Sequence, residues 1–359
     1  PAAGVKAGNS IIVTFAMDST SGSVSVSDTA GNTYNLDADT GVYVTYVRTL
    51  IFSAHNVTAL VSGNTITVTH PSVNAKAVSA NEFSGLAKTS ALALDKTSTA
   101  TGDSTTPSSA STATTTQADE LLIGAIGVEG PLGDTFTAGS GYTALPRDGT
   151  TGASASSNIT INPEYRIVSA TGTYVADGTL SDARKWAAAI ATYKMLTWQS
   201  YQDANHVTQC DSFSEYATQH TVYMYGQGFA PSTAYRVIFW DQVNSTWYNR
   251  DTVDVTSTAG GELGVAGTNP VAHTFVPGTD TDGTWHCTTY DDQSYSPSTY
   301  DPSDSKLVAD DTSYTGGFAF YVAPSAIPEF PTVLATIAVA GLCFGIYWWM
   351  RRKLAYVKA

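Results

Sequence analysis

The residues best suited to chemistry are acidic, and they lie in one short part of the chain. Eight aspartates occur between positions 280 and 311. Calcium takes roughly six to eight oxygen ligands, which loops of Asp, Ser and Thr supply outside cells. The segment DTDGTW matches only part of a calcium-loop pattern, because the distal glutamate is absent. Two interpretations stay open: a solvated acidic face, or a calcium site with the ligands Asp280, Asp282, Asp291 and Asp292.

The six histidines show no spacing typical of a catalytic or metal site. His286 precedes Cys287, but a zinc site needs further ligands. No GxSxG, P-loop or GxGxxG motif occurs in a suitable context. Ser and Thr are too frequent to single out a catalytic triad. We therefore predict no enzymatic activity, no catalytic residue and no cofactor other than the calcium considered above.

Two of the three cysteines, Cys210 and Cys287, are 77 positions apart in the same β-rich part of the chain. Outside the cell, such a pair commonly forms a disulfide. Closing a loop of that length would stabilise the fold by about 4–5 kcal/mol in the chain-entropy description. The alternative is two unpaired buried thiols. Cys343 lies in an apolar segment and is expected to be an inert small side chain.

Three asparagines begin an Asn-Xaa-Thr sequence: Asn56, Asn158 and Asn244. Glycans at these positions would require exposed side chains outside the cell. Such sequences also arise by chance in a chain rich in threonine, so both interpretations stay open.

A membrane anchor is predicted near the end of the chain. Residues 331–350 contain no charged side chain, and a helix of this length spans about 30 Å, the thickness of a bilayer's hydrocarbon core. Aromatic residues close the segment, and the basic residues Arg351, Arg352 and Lys353 follow it, as expected on the cytoplasmic side. Residues 1–330 are therefore predicted outside the cell, with residues 351–359 as a basic cytoplasmic tail.

The motif before this segment resembles a known sorting signal. Pro328, Glu329 and Phe330 precede the apolar segment and its basic cluster, as in the PEF-type C-terminal signal (PEF-CTERM) of archaeal and some bacterial surface proteins. The resemblance implies a sortase-like processing enzyme as a partner. A retained anchor and a processed one both remain open.

The charge balance argues against nucleic acid as a partner. Four of the 17 basic residues follow the apolar segment and no acidic residue does, so 31 acidic residues face 13 basic ones in the predicted external part. Nucleic-acid binding needs a basic surface. An acidic surface suits solubility, cation binding or a saline exterior.

Short β-branched and aromatic runs separated by turn residues predict an all-β protein. Residues 1–194 are predicted to form one antiparallel β-sandwich or jelly roll, in which residues 97–117 are an exposed loop because they lack large apolar side chains. Residues 195–323 are predicted to form a second sandwich, whose segment GQGFAPSTAY resembles the first turn of an immunoglobulin-like surface domain. Residues 324–330 are a proline-rich stalk.

Residues 1–194 resemble a sandwich module of bacterial and archaeal surface proteins, through segments such as AGNSIIVTFA, SANEFSGLA and KWAAAIATYK. Related modules begin with one further strand. The resemblance therefore implies a missing strand, with Ser10–Ala16 as the exposed edge that a neighbouring chain could complete. Residues upstream of Pro1 are the other way in which the gap could be filled.

These observations favour a non-enzymatic, membrane-anchored structural protein of the cell surface. The expected form is a subunit of a surface layer (S-layer), sheath or filament that associates with itself or with other surface proteins. Two alternatives stay open. One is an adhesin or carbohydrate-binding module that uses the Tyr- and Trp-rich residues 285–300, and the other is an accessory subunit that anchors a larger membrane or extracellular complex.

Overall fold

The chain is described by a computed structural model that covers residues 4–42, 47–152, 154–201, 204–207, 212–214, 220–244, 246–275, 283–301, 304, 306–310 and 321–323. Nearly all regular structure in these ranges is β-strand, and the predicted all-β class is confirmed. The α-helix in the described part is the single turn α1 (Ser90–Ala93). No helix of the described residues is long and apolar enough to cross a membrane, and the predicted span 331–350 lies outside them.

Fourteen strands precede residue 195. They are β1 (Ser10–Asp18), β2 (Ser25–Asp28), β3 (Asn35–Asp39), β4 (Val47–Ala54), β5 (Ile66–Thr69), β6 (Lys76–Phe83), β7 (Leu94–Ser104), β8 (Asp119–Val128), β9 (Phe136–Ala138), β10 (Thr143–Ala144), β11 (Asp148–Gly149), β12 (Thr160–Ser169), β13 (Gly178–Leu180) and β14 (Arg184–Lys194).

Ten further strands are described after residue 195. They are β15 (Thr197–Tyr201), β16 (Ser212–Ser214), β17 (His220–Gln227), β18 (Ala234–Val243), β19 (Thr246–Thr256), β20 (Glu262–Leu263), β21 (Val271–Phe275), β22 (Gly283–Tyr290), β23 (Leu307–Asp310) and β24 (Tyr321–Ala323). The strand pairs are antiparallel except for the parallel pair β16–β24.

The strands before residue 195 form two main sheets that face each other. One has the order β3-β4-β1-β6, and the other has the order β10-β12-β8-β14-β7 with β11 beside β12. Alternate residues of both sheets, such as Ile12, Ile51, Ile123 and Ala189, are buried in a shared core. Their neighbours along the chain point to the opposite faces, because side chains alternate across a strand.

A two-stranded ribbon covers each outer face of this pair of sheets. The β2–β5 ribbon lies over Phe15 and Phe52 on the first sheet, and the β9–β13 ribbon lies over Ile126 and Trp186 on the second. Strands β1 and β8 are therefore buried on both faces, and their continuous apolar runs have a structural explanation.

The later strands form a separate pair of sheets. One contains β15, β17, β20 and β21, and the other has the order β16-β24-β22-β18-β19 with β23 beside β22. Large side chains fill the space between them, among them Trp198, Phe229, Phe239 and Trp285. In the described ranges each sheet contains strands from only one side of residue 195, so we refer below to the first set (β1–β14) and the second set (β15–β24).

The predicted edge strand is wrong. Residues Ser10–Ala16 belong to β1, which pairs with β4 on one side and with β6 on the other. Its backbone groups are therefore used within the chain, and a neighbouring chain has no free edge to complete there. The error has a physical origin, because a strand's place in its sheet depends on partners far away in sequence.

The predicted loop 97–117 is also wrong over its first residues. Residues 97–104 form most of β7, an edge strand paired with β14. An edge strand needs little apolar surface, and the β-branched threonines favour extended backbone. Gly102 provides room for the Trp186 ring, since a Cβ at this position would lie 2.3 Å from an indole carbon.

Candidate functional site

The predicted acidic site is neutralised in part by a neighbouring lysine. Asp292 accepts a hydrogen bond from the Lys306 ammonium and another, of 2.8 Å, from the Ser294 backbone N–H. Asp280 and Asp282 lie outside the described residues. In the part of the chain that the structure covers, no three metal-ligating side chains come together. Calcium binding at Asp291 and Asp292 stays a prediction.

The predicted disulfide involves one described cysteine. Cys287 is fully buried in β22, in the core of the second set. Its backbone carbonyl accepts a 3.0 Å hydrogen bond from the indole of Trp198. Cys210, Cys343, the PEF motif at 328–330 and the basic cluster 351–353 all lie outside the described residues, so the predictions made for them stay predictions.

The three candidate glycosylation sites differ in exposure. Asn56 and Asn244 are exposed and lie at turns where φ is 51°. Asn158 is buried, and its amide nitrogen donates hydrogen bonds to the carbonyls of Gly152 and Ser154. A glycan on this nitrogen would replace one of its two hydrogens, and so would break at least one of these bonds and require the buried side chain to become exposed. Asn56 and Asn244 are therefore the better acceptors of the three.

The aromatic residues of 285–300 mostly pack on one another. Trp247, His286 and Tyr300 form a cluster with ring-centroid distances of 4.2 Å and 5.1 Å for its two closest pairs. Tyr300 also lies 6.3 Å from the fully buried Trp240. Sugar stacking needs an open ring face, and this cluster uses its ring faces and edges internally. The geometry therefore gives the adhesin alternative little support here.

One histidine contacts a serine, but without the acid that a catalytic triad needs. Ser10 Oγ, at the start of β1, lies 2.9 Å from Nδ1 of His55, which directly follows β4. The Nε2 atom of His55 is buried without a hydrogen-bond partner. Burial, helped by the charge of Lys88, lowers the pKa of His55 to about 4, so the ring is neutral near pH 7. Nothing in this contact would orient or charge the imidazole for catalysis.

The most specific geometry in the molecule is the joint between the two sets of strands. Only Met195 and Leu196 lie between the end of β14 and the start of β15. The Leu196 N–H donates to the Gly85 carbonyl over 2.8 Å, and the Met195 N–H donates to the Asp119 carbonyl over 3.1 Å. Both acceptors belong to the part of the chain before residue 195, so these main-chain hydrogen bonds fix the two connecting residues to the first set.

Contacts away from the connecting residues also join the two sets. The Lys88 N–H donates over 2.8 Å to the carbonyl of Gly228, in the second set. The Lys88 ammonium turns back to donate over 2.9 Å to the carbonyl of Gly8, in the first set. Burial lowers the pKa of this amine to about 8, against the attraction of Asp291. Lys88 thus bonds to both sets, and a cleft of about 320 Å³ lies beside it between Leu92 and Glu262.

Glycine is needed at one point where the two sets of strands meet. Gly228 has φ of 92°, and a Cβ there would lie 3.0 Å from the Cβ of Ala87. Gly228→Ala should therefore cost about 1–2 kcal/mol for the left-handed backbone and should also push the two sets apart. We expect faster limited proteolysis at residues 195–196.

Gly63→Ala is the matched control for this variant. Gly63 has φ of 97°, but nothing lies within 4 Å of the Cβ position. This variant should show the backbone cost without faster cleavage at the joint. Equal cleavage of the two variants would mean that contact with Ala87 does not hold the joint.

A buried charged cluster lies at the first set's side of the joint. Asp95, Glu120 and Lys194 come from β7, β8 and β14, which are neighbours in one sheet. The Asp95 carboxylate is 3.0 Å from the Lys96 ammonium and 3.9 Å from the Lys194 ammonium. The sequence interpretation did not find these residues. The only signal was a pair of acids, Asp119 and Glu120, at the start of an apolar strand.

Comparisons with protein-family models, with curated proteins and with solved structures found no match. The proposal for function therefore depends on the geometry of this chain's own residues.

Proposed function

We propose that this chain is a membrane-anchored structural protein of the cell surface, a subunit of a surface layer, sheath or filament. In this proposal residues 1–194 are a jelly-roll sandwich and residues 195–323 an immunoglobulin-like sandwich. A stalk (324–330), a membrane span (331–350) and a cytoplasmic tail (351–359) follow. The protein acts through its shape and its contacts rather than through a reaction.

The observation that carries this proposal is the stiff joint. A subunit of a lattice or fibre must hold its parts at a fixed angle, because each free hinge adds disorder at every repeat. Here two residues connect the sets, and main-chain hydrogen bonds fix both of them to the first set, while the Lys88 N–H bonds across to Gly228 in the second. The buried Lys88 adds bonds to both sides. Flexible linkers of surface proteins are instead longer and rich in Gly, Ser or Pro.

Composition supports the same proposal. Charged residues make up 13% of the chain, and the balance is acidic, with a formal net charge of −14. Such a surface resists non-specific binding to nucleic acid and favours solubility at high protein density. The aromatic rings around Trp247 pack on one another, which favours a structural role for this cluster over a role in binding sugars.

Imaging of native membranes tests the proposal. We expect a periodic lattice or fibre in which the repeating unit is this chain, with contacts between copies made by the two β-rich sets. Monomers that bind a glycan array would favour the adhesin alternative. A different chain found at the membrane segment or on the sheets after cross-linking would favour the accessory alternative. Either outcome without a repeating lattice would overturn the structural proposal.

The location is checked separately by adding protease to intact cells. Epitopes within residues 1–323 should be lost, while an epitope placed after Arg351 should survive. Protection of the β-rich part would contradict the predicted topology, even if the purified chain assembled into a lattice.

A further inference from the structure

Strand β6 leaves one edge of its sheet without a partner strand. Among the described strands, β6 pairs only with β1, and this pairing is unbroken from Lys76 to Phe83. At the other end of the same sheet, β3 contains a bulge between Leu36 and Ala38, and a bulge protects an edge against pairing with another chain. Because β6 has no such bulge, it is the edge at which this sheet can be extended.

Every second residue of β6 directs its backbone N–H and C=O groups away from β1. The Ser79 carbonyl points toward β1, since it accepts the Thr14 hydroxyl over 3.3 Å. The Val78 N–H points outward, since it donates to the Asp148 carboxylate over 3.2 Å. The outward-facing groups therefore belong to the even-numbered residues of the strand, which are Lys76, Val78, Ala80 and Glu82.

The side chains of these residues lie on the outer face of the sheet, next to an apolar groove. Val78 and Ala80 are opposite Phe15 and Val13 of β1, which pack under the β2–β5 ribbon. Val78 is 40% exposed, and Ala80 is exposed as well. A groove of about 390 Å³ lies beside Ala80 and is lined by apolar side chains such as Ile66. Unpaired main-chain groups next to a pocket for alternate side chains are what the addition of a strand requires.

Opposite charges stand at the two ends of this row. Lys76 is exposed, and within the described ranges its ammonium makes no salt bridge. Glu82 is exposed too, and one of its oxygens, Oε1, accepts the Lys6 N–H over 2.8 Å and the Asn9 side-chain amide over 2.7 Å. A strand with lysine at one end and glutamate at the other is complementary to its own copy when the two run antiparallel.

We propose that β6 pairs with β6 of a second copy of this chain, antiparallel and around a two-fold axis that passes beside Ser79. Lys76 then lies opposite the partner's Glu82, and Val78 lies opposite the partner's Ala80. The four outward-facing residues form four pairs that each exchange two main-chain hydrogen bonds, about eight in all. The two four-stranded sheets become one continuous sheet, and the contact is the same from both sides, as in most dimers.

Charge and shape both select this register. A shift by two residues in one direction would place Lys76 opposite the partner's Ala80, and a shift in the other direction would place it beyond the end of β6. Both shifts lose the two ion pairs between strands, which stabilise a pair of strands when the charges are directly opposite. The proposed register also brings Val78 to the partner's apolar groove and gives its exposed side chain a site for burial.

Asp148 competes with the partner strand. Its exposed carboxylate accepts the Val78 N–H, so it must turn into solvent before the partner can bond there. A contact between two edges covers a small area, and such interfaces are typical of weak association. The dimer is therefore expected to form reversibly and to be favoured at high protein density. The pairing depends on β6 and its surroundings alone, and not on the proposed surface lattice.

Cysteine cross-linking of the full-length chain in detergent tests the register. Ser79→Cys should give a disulfide-linked dimer, because Ser79 faces its own copy in a pair whose Cα atoms are about 4.5 Å apart. Asn81→Cys is the matched control, since it faces the partner's Ala77 and its own copy lies about 13 Å further along the strand. Peptide mapping distinguishes the link between two residues 79 from links made by the native cysteines. Equal dimer yields for the two variants, or no link at residue 79, would overturn the proposed register.

Charge variants test the pairing without a new covalent bond. In sedimentation equilibrium, Lys76→Glu should raise the dissociation constant of the dimer at least about tenfold, because two attractions become two repulsions. Combining it with Glu82→Lys should restore most of the affinity, and Asp148→Ala should make the dimer tighter than that of the wild type. Circular dichroism shows whether each variant is folded.

Three results would overturn the pairing of β6 with its copy. They are a wild-type chain that stays monomeric up to about 0.1 mM, a double variant as weak as Lys76→Glu alone, and a dimer that none of these changes affects. A different protein linked at residue 79 in native membranes would overturn the assignment of a second copy. A dimer of this register without a lattice would support the inference and count against the proposed function, so the two can fail separately.

Discussion

Glu164→Gln should make the protein more stable near pH 8 and should flatten the fall in stability between about pH 5 and pH 8. The melting temperature at pH 8 should rise by up to roughly 10 °C, from a gain of about 3 kcal/mol. At pH 5 the variant and the wild-type protein should melt at nearly the same temperature. Thermal unfolding followed by circular dichroism at several pH values provides the measurement.

The reason lies in how Glu164 is enclosed. The side chain is fully buried on β12. One carboxyl oxygen accepts the Gly139 N–H over 2.9 Å, while the other is buried without a hydrogen-bond partner, as is the hydroxyl of the nearby Tyr142. Burial raises the pKa of Glu164 from an ordinary 4.5 to about 7. A glutamine keeps the acceptor for Gly139 and never carries a charge.

The direction of the pH dependence follows from the protons that the folded and unfolded states bind. Between pH 4.5 and about 7 the folded protein holds a proton on Glu164 that the unfolded chain has released. Stability therefore falls as pH rises through this window, and the contribution of the group is fully present only below it. Glu120 has its pKa raised to about 7 in the same way, so the wild-type protein should be more stable in mild acid than in mild base.

A change in overall charge could imitate this effect, since the chain carries a formal net charge of −14. Asp182→Asn is the control, because it removes one negative charge from a carboxylate that is 57% exposed. It should change the melting temperature at pH 8 only slightly. If both variants shift the melting curve equally, net repulsion rather than burial of Glu164 controls the pH dependence.

The all-β class could be predicted because its signals are local. The run SIIVTFAM became β1, and KWAAAIATYK lies within β14. The segment GQGFAPSTAY does connect two strands, since β17 ends at Gln227 and β18 begins at Ala234. Each of these depends on residues next to one another in sequence, where β-branched side chains and turn residues act directly on the backbone.

The order of strands and the buried charges depend on distant partners and could not be predicted. The continuous apolar run of β1 indicates a strand buried on both faces, but it does not show which strands pair along its two edges. Asp119 and Glu120 are adjacent acids, and only the register with β14, which pairs Glu120 with Lys194, indicates which of them is enclosed. The division at residues 194 and 195 was predicted, but the contacts that hold the joint were not, because Lys88 meets Gly228 across 140 positions of sequence.

The largest loss of stability is expected at Trp198, the first large core residue after the joint. Its side chain is fully buried between the sheets of the second set. The ring meets Phe229 edge to face at 5.6 Å, and its indole N–H donates to the Cys287 carbonyl. A Cβ at Gly226 would lie 2.7 Å from the indole ring, so this site is shaped around tryptophan.

Trp198→Ala should therefore lower the free energy of unfolding of the second set by about 3–5 kcal/mol, through lost burial and the cavity that remains. Denaturant unfolding should separate into two transitions, with the second set unfolding first and the first set near its original midpoint. Because Leu196 is two residues away and forms part of the joint, limited proteolysis near residue 195 should also become faster.

Trp247→Ala is the matched control, since it removes the same side chain from a half-buried position beside His286 and Tyr300. Trp247→Ala should lower the free energy of unfolding by clearly less, because part of the ring is already exposed to water and its removal leaves a smaller cavity. The two sets of strands should still unfold in one denaturant transition in this variant. Two results would contradict this prediction: an equal loss of unfolding free energy in the two variants, or a single unfolding transition in Trp198→Ala that shifts as a whole. Either would mean that Trp198 does not stabilise the second set independently of the first. The two sets would then unfold as one unit, and the stiffness of the connection would come from a shared core rather than from the main-chain bonds around Leu196.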